Sequence, residues 1–411
     1  MGAEQVFVVV GAGPAGAKAA EALRERGFTG RVVLVGDEGE RPYERPPLSK
    51  GYLLGEQDRA AVDVFPEQWY GEHSVELLLG CRVTALDRAA RRIGLADGRS
   101  LGYDKLLLAT GASPRRLRVP GAELDGVHYL RRLGHSDRLR EAVERGGRIV
   151  IVGGGWIGLE VAAAARTRGC EVTVVEQAPT PLHAVLGPEV GGVLADVHRG
   201  HGVEFRFGTA VAGFRGGGRV SAVVTADGDE LPADAVVVGV GARPNTDLAE
   251  AAGLTVDDGV VVDGALRTDD PHIHAVGDVA SIPSARYGRR LRVEHWANAI
   301  SGGQSAARAM LGEDIAHDEL PYFFSDQYDL GLEFAGWFPP GGYDRVVTRG
   351  DVPGLAFHAF WLAGDELVAG MHVNLWDAGI GEVQELIRRR RPVDPRRLAD
   401  TSVPLTAHLE G

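Results

Sequence analysis

The sequence predicts an α/β protein built from two doubly wound βαβ domains, one inserted in the other, with a smaller α+β domain at the C-terminal end. Three observations predict it. A glycine-rich turn occurs twice, as Gly11-Ala12-Gly13-Pro14-Ala15-Gly16 and as Gly153-Gly154-Gly155-Trp156-Ile157-Gly158, each behind an apolar run and ahead of an alanine-rich stretch. Each unit is followed by an apolar strand that closes in a glycine turn: Lys105 to Ala112 through Ala109-Thr110-Gly111, and Ala235 to Ala242 through Gly239 and Gly241. Residues after about 320 carry no such turn and are dense in aromatics. A G-x-G-x-x-G turn between strand and helix is the mark of a dinucleotide-binding unit, because it lets the backbone approach a pyrophosphate closely. The expected class is therefore two Rossmann-like dinucleotide-binding domains plus an α+β C-terminal interface domain.

Each element follows in order. Val6–Val10 is a short apolar run of strand length, the alanine-rich helix through Ala17 and Leu23 ends at Gly27, and Arg31–Val35 is the next strand. Asp37 and Glu38 stand just past it, where a ribose hydroxyl needs an acceptor. The second unit repeats the plan: strand Ile149–Val152, a helix running from Leu159 to Gly169, strand Glu171–Val175, then Glu176. In both, free N–H groups and the helix dipole favour a phosphate at the first turn. His274-Ala275-Val276-Gly277-Asp278 places an acid after a short apolar strand and is assigned back to the first domain, which makes the second an insertion. The expected boundaries are 1–113 and 245–320 for the first domain, 114–244 for the second and 321–411 for the third. A helix is expected over Asp377–Arg391, stopped by Pro392 and Pro395.

Composition narrows the function. A net charge of −13 disfavours a non-specific nucleic-acid or anionic-membrane binder. No apolar run approaches the ~20 residues that span a bilayer, and the chain enters a strand without a signal-like start, so the expected location is the cytoplasm. Cys81 and Cys170 form no C-x-x-C pair and read as small buried apolar residues, leaving no iron–sulfur cluster or redox disulfide. His272, His274 and His295 lack companion ligands, so no metal site is expected, and no supported serine or cysteine nucleophile is visible.

Two dinucleotide sites in one chain imply electron exchange between two cofactors. Glu176, with no arginine in the residues just after it, suits the ribose hydroxyls of NADH and repels the 2′-phosphate of NADPH. Arg41-Pro42-Tyr43-Glu44-Arg45-Pro46-Pro47-Leu48-Ser49-Lys50 is stiffened by prolines and reads as a rigid, cationic wall beside a ligand. Val293-Glu294-His295-Trp296-Ala297-Asn298-Ala299 opens a helix with an aromatic and polar cluster. Arg388-Arg389-Arg390-Arg391 reads as a solvated helix end whose cations suit the C-terminal dipole, or as a patch for an acidic partner.

These segments together resemble the FAD-dependent ferredoxin reductases of bacterial oxygenase systems over almost the full length. The matching motifs are 36–50, Tyr129-Leu130-Arg131, Gly153–Glu160, Ala275–Ala280, Val293–Ala299 and Pro321–Asp329. The resemblance implies that Gly11, Gly13, Pro14, Ala15, Gly16 and Asp37 hold the adenosine half of FAD, and that Asp278 holds its ribityl chain. Arg45, Lys50, Val83, Arg131 and Trp296 would line the flavin, with Ala109, Thr110, Gly111, Gly277, Glu294 and His295 as further cofactor contacts. Gly153, Gly155, Ile157, Gly158, Glu176 and Gly241 would serve NADH. Lys50 and Glu160 are the implied catalytic pair: a cation near the flavin N5 favours electron arrival, and the glutamate fixes the lysine.

Two residues depart from the resembled pattern. Phe324 stands where a tryptophan is common, and Ala184 where many relatives carry an arginine near the adenosine end of the nucleotide. The implied activity is electron passage from NADH through FAD to a small iron–sulfur ferredoxin that serves a cytochrome P450 or a ring-hydroxylating dioxygenase, by a monomer or homodimer. Two other readings of the same fold stay open: a disulfide or peroxide reductase, which wants a cysteine within residues 38 to 80 where there is none, and a non-metabolic NADH-binding flavoprotein of the apoptosis-inducing-factor type.

Overall fold

A computed structural model describes residues 4–409 and resolves into two compact units. The first takes in residues 1–46, 58–113 and 242–319; the second takes in 47–57, 114–241 and 320–411.

The first unit is built on a five-stranded parallel sheet ordered 273–275, 105–108, 6–10, 31–35, 75–78. Its central strands are apolar on both faces, as a sheet covered by helices requires: Val8, Val9, Val32, Val33, Leu34, Leu106 and Leu107 are all buried. The helix Pro14–Glu25 starts with proline at its first position, where a missing N–H costs nothing, and ends before Gly27 at φ 79°. It packs against the helix Trp296–Met310. Gly303 makes that approach feasible, since a Cβ there would run into the Ala15 carbonyl oxygen. The strand Ile273–Ala275 pairs with Lys105–Leu108 at the edge of this sheet, so the late segment carrying Gly277 and Asp278 returns beside the first loop.

The second unit repeats the architecture, with a parallel sheet ordered 203–207, 171–176, 148–152, 235–238, 127–129. Helix Trp156–Thr167 follows the second glycine turn. Residues 320–411 add an antiparallel sheet ordered 322–327, 330–336, 366–373, 356–363, 345–351, whose aromatic core includes Phe334, Phe357 and Trp361. Each fully buried side chain of this size contributes about 1.5–3 kcal/mol through loss of water contact.

Three details differ from expectation. Residues 47–57, read as part of the first domain, group with the second unit, because Leu53 is buried in its core and the Tyr52 hydroxyl donates to Asp137 at 2.7 Å. The C-terminal helix spans Gly381–Arg389 rather than Asp377–Arg391: Gly379 at φ 62° holds off its start, and Arg390 at φ 52° ends it before any proline. Pro395 begins a helix, Pro395–Ala399, capped by the Asp394 carboxylate on the Arg396 N–H at 2.9 Å.

Candidate functional site

The first loop forms a cradle at the end of its strand. Gly11 sits at φ 121°, where a Cβ would drive into the Ala109 carbonyl, and a Cβ on Gly16 would meet the Gly11 carbonyl. The turn Ala109-Thr110-Gly111 therefore backs the loop directly. A Cβ on Gly13, by contrast, would meet nothing within 4 Å. Gly13 is the helix N-cap and Pro14 has no N–H to satisfy, and no side chain caps the first turn that holds the N–H groups of Ala15 and Gly16. Glycine walls, open space and uncapped amides fit a pyrophosphate.

Most of the other residues expected at this cofactor lie in the first unit. Asp37 pairs with Arg82 at 3.3 Å, and Val83 begins the neighbouring strand Val83–Asp87. The cationic wall is braced from inside: Arg45 donates to Glu38 at 2.9 Å and to the Tyr43 hydroxyl at 2.6 Å, and Tyr43 donates to Glu38 at 2.6 Å. Gly277, at φ 70°, opens a short turn carrying the buried Asp278, and a Cβ there would lie 3.4 Å from Ala15. Glu294 pairs with Arg292, and His295 caps the helix that Trp296 begins. The Trp296 ring is 40 % exposed, yet its indole N–H is anchored on the Glu44 carboxylate. Burial pushes the Glu44 carboxyl above its ordinary value, and the indole hydrogen bond and the Lys18 charge pull it partly back.

The second loop has the same frame. Gly153 sits at φ 104° against the Gly239 carbonyl, Gly158 packs on the Gly153 carbonyl, and Gly155 is an uncapped N-cap whose Cβ would find its nearest neighbour at 4.0 Å. Ile157 is 42 % exposed on the first turn, an apolar platform at the mouth of the loop. Both Glu176 oxygens accept backbone N–H groups, from Gly154 and from Ala178, each at 2.7 Å. Its carboxylate is thereby held beside the loop with lone pairs left for ribose hydroxyls. Gly241 at φ 95° lets its carbonyl accept the Arg115 N–H at 2.9 Å. Ala184 lies in the first turn of the helix His183–Gly200, and Arg131 is half-buried just past the strand Val127–Tyr129.

Lys50 and Glu160 meet within the second unit. The ammonium lies 2.8 Å from the Glu160 carboxylate, which is 5 % exposed. Glu160 also accepts from the Ser49 hydroxyl at 2.5 Å and the Ser325 hydroxyl at 2.7 Å. Lys50 is 5.7 Å from the centre of the Phe324 ring, within cation–π reach. Asp326 stands nearby with its carboxyl raised by burial, Glu160 adding to that rise and Lys50 opposing it.

Sequence reasoning missed Ser49, Ser325, Gln327 and Asn245. The first three lie inside the matched motifs 36–50 and 321–329, where charged neighbours in sequence gave no sign that their side chains turn inward. Asn245 ties the glycine turn down by donating to the Thr110 carbonyl at 2.8 Å and accepting from Ser113 at 2.7 Å. The basic run is exposed, in keeping with a solvated helix end, and is paired along the surface: Arg389 with Glu385 at 2.8 Å and Arg390 with Glu366 at 2.9 Å. Cys81 and Cys170 are buried free thiols.

The family model described as pyridine nucleotide-disulphide oxidoreductase matches residues 6–303, and that described as reductase C-terminal matches 322–409. This chain belongs to the pyridine nucleotide-disulphide oxidoreductase family. Several of its relatives are named as ferredoxin reductases. The chain is 40 % identical to rhodocoxin reductase of Rhodococcus erythropolis over 97 % of its own length and 93 % of that protein. It is 42 % identical to the ferredoxin–NAD(+) reductase component of the anthranilate 1,2-dioxygenase system of Burkholderia cepacia, over 98 % and 99 %. Among solved structures it is similar to the reductase in the covalent putidaredoxin reductase–putidaredoxin complex, with a TM-score of 0.94, 39 % identity and 98 % of both chains covered. The family match spans both glycine cradles, and the second model covers the sheet that delivers Ser325 to Glu160. Among the described residues no helix is long and apolar enough to cross a membrane, and no cluster of metal-ligating side chains occurs.

Proposed function

We propose that this chain is an FAD-dependent NADH:ferredoxin oxidoreductase that supplies electrons, through a small iron–sulfur ferredoxin, to a cytochrome P450 or a ring-hydroxylating dioxygenase. The observation that carries the reading is the pair of uncapped glycine cradles, each fitted to a pyrophosphate, in a chain with near-full-length relatives named as ferredoxin–NAD(+) reductase components of dioxygenase systems. In this reading residues 1–113 and 245–320, less the segment 47–57 that groups with the second unit, form the FAD-binding domain, 114–244 the NADH-binding domain and 321–411 the interface domain.

FAD, when bound, supplies the exchange between a two-electron hydride donor and a one-electron acceptor. Binding and aiming fall to the protein. The first-turn amides at Gly13 to Gly16 and the Asp37 carboxylate hold the adenosine half, Asp278 receives hydroxyls of the ribityl chain, and the braced Arg45 and anchored Trp296 wall the flavin. The amides at Gly155 to Gly158 hold the second pyrophosphate, and Ile157 offers an apolar face to the nucleotide. Glu176 accepts from both ribose hydroxyls and disfavours a 2′-phosphate by charge repulsion. Lys50, fixed by Glu160, presents a cation whose direction is set before substrate arrives, so no reorganisation is needed when negative charge develops near it. Hydride transfer needs the donor carbon aligned with its acceptor, and that orientation is the main service of both cradles. NADH as donor and two unpaired thiols suit the cytoplasm.

The test is cytochrome c reduction by NADH with and without an added two-iron ferredoxin. Strong dependence on the ferredoxin supports the reading; slow turnover that ignores it contradicts the reading and favours a binding flavoprotein.

A further inference from the structure

A buried line of hydrogen bonds ends on the Glu160 carboxylate. Ser325 donates to Glu160 Oε1 at 2.7 Å, Gln327 Nε2 donates to Ser325 Oγ at 3.0 Å, and Gln327 Oε1 lies 2.8 Å from His198 Nε2. The far imidazole nitrogen, Nδ1, is 3.3 Å from the Tyr328 hydroxyl. Ser325, Gln327 and His198 are all almost wholly buried. We infer that Ser325, oriented by Gln327 and His198, is a positioning residue that fixes Glu160 and through it Lys50; this rests on the reading of Lys50 and Glu160 given above.

The direction of every proton in the line is dictated by its end. An ionised carboxylate only accepts, so the Ser325 hydroxyl must spend its single proton on Glu160. Its oxygen is then free to accept the Gln327 amide. That turns the Gln327 carbonyl toward His198, which must carry its proton on Nε2 and leave Nδ1 bare for the Tyr328 O–H. Burial holds the imidazole neutral by lowering it to about 4, and it is the two hydrogen bonds that choose between its neutral tautomers. The opposite tautomer would set a bare Nε2 against the amide carbonyl. Gln327 would then turn over, Ser325 would donate to it, and Glu160 would lose a donor.

The arrangement exceeds what folding alone asks of these positions. Ser325 lies on the strand Tyr322–Gln327, and a core of this kind tolerates apolar residues at buried strand positions. Retaining four polar groups in sequence there makes sense if their common endpoint must be held. Glu160 takes one bond from Ser49, one from Ser325 and the ion pair from Lys50, so its two oxygens are triangulated from two directions in the chain. Removing Ser325 leaves the carboxylate held only from the side of Ser49 and Lys50.

The test uses the holoprotein and three readouts. In stopped-flow reduction by NADH, Ser325→Ala is expected to slow flavin bleaching about tenfold with KM for NADH changed less than about twofold, and Ser325→Thr to restore the rate to within about twofold. In a Glu160→Gln background the added Ser325→Ala change is expected to cost less than about twofold, because its target is already gone. Nitrogen-15 spectra of histidine-labelled protein, with and without flavin, are expected to show His198 protonated on Nε2 alone. An unchanged rate in Ser325→Ala, a threonine as slow as alanine, an undiminished loss in the Glu160→Gln background, or His198 protonated on Nδ1 would each overturn the inference. The tautomer decides it if the alanine variant does not fold. A wild-type protein that NADH fails to bleach sinks the functional reading and this inference with it; a bleached wild type matched by its Ser325→Ala variant sinks the inference alone.

Discussion

The two glycine cradles share a frame and differ in how they treat the acid beyond the next strand. In the second, both oxygens of Glu176 are pinned by backbone N–H groups at 2.7 Å, one of them from the loop itself. In the first, Asp37 pairs with the Arg82 side chain at 3.3 Å, and the neighbouring Glu38 braces Arg45 and Tyr43. Both cradles are backed by a later glycine turn, at Ala109 and at Gly239, and the first borrows a further segment, the turn at Gly277 and Asp278, which packs beside Ala15. The difference suits a cofactor held throughout turnover, enclosed by many elements, against a substrate that must arrive and leave through a small, stiff set of contacts.

The sharpest way to break the comparison is one methyl group in each loop. Gly11→Ala forces a side chain into the Ala109 carbonyl at positive φ and is expected to give protein purified almost free of flavin, read from its absorbance. Gly153→Ala makes the matching clash with Gly239 and is expected to leave the flavin in place while raising KM for NADH by roughly a hundredfold. Flavin lost from both variants, or from neither, would erase the proposed division of labour. Next in size, Lys50→Ala is expected to slow NADH-driven flavin bleaching by tens of times, with flavin content close to that of the wild type, if the proposed role of its preset charge holds. An unchanged stopped-flow rate removes Lys50 from the mechanism. Smaller again, Glu176→Arg is expected to reduce kcat/KM with NADH about tenfold and to raise it with NADPH. The same change at Asp37, in the cradle assigned to FAD, is expected to leave the NADH/NADPH preference where it was.

The smallest effect separates the two units by acid. His128, His198 and His358 of the second unit are lowered by burial from 6.5 to about 4, and His274 of the first to about 3. Each binds a proton in the unfolded chain before it does in the folded one. Their stabilising contribution is therefore complete above pH 6.5, shrinks as pH falls toward about 4, and changes no further below the folded value. Each such group costs about 1.4 kcal/mol per pH unit in that window. Hydrogen exchange at pH 7 and pH 5 is expected to show amides of the second unit losing protection more than those of the first; equal loss in both would contradict the assignment.

The sequence made the cradles legible because their constraints are local. A glycine at positive φ, an apolar run of strand length and an acid beyond it can be read from spacing alone, and the structure places Gly11, Gly153 and Glu176 accordingly. The grouping of residues 47–57 with the second unit was not legible, since Leu53 and Tyr52 find their partners some 90 residues away. Larger separations, 165 residues from Ser325 to Glu160 and 129 from His198 to Gln327, hid the line of polar side chains that leads to Glu160. The resemblance supplied the Lys50–Glu160 pair; spacing alone would not have. At the C-terminal end, a proline was read as a stop where the backbone uses it as a start, because Asp394 provides the cap that makes Pro395 a first helical residue.

The account stands most directly on an anaerobic mixing experiment. The purified holoprotein is expected to show flavin absorbance, to bleach on mixing with stoichiometric NADH at a rate many times that with NADPH, and to recover its colour when an oxidised two-iron ferredoxin is added. A flavin-loaded protein that NADH leaves coloured, or that bleaches and cannot pass its electrons to any such ferredoxin, would contradict it.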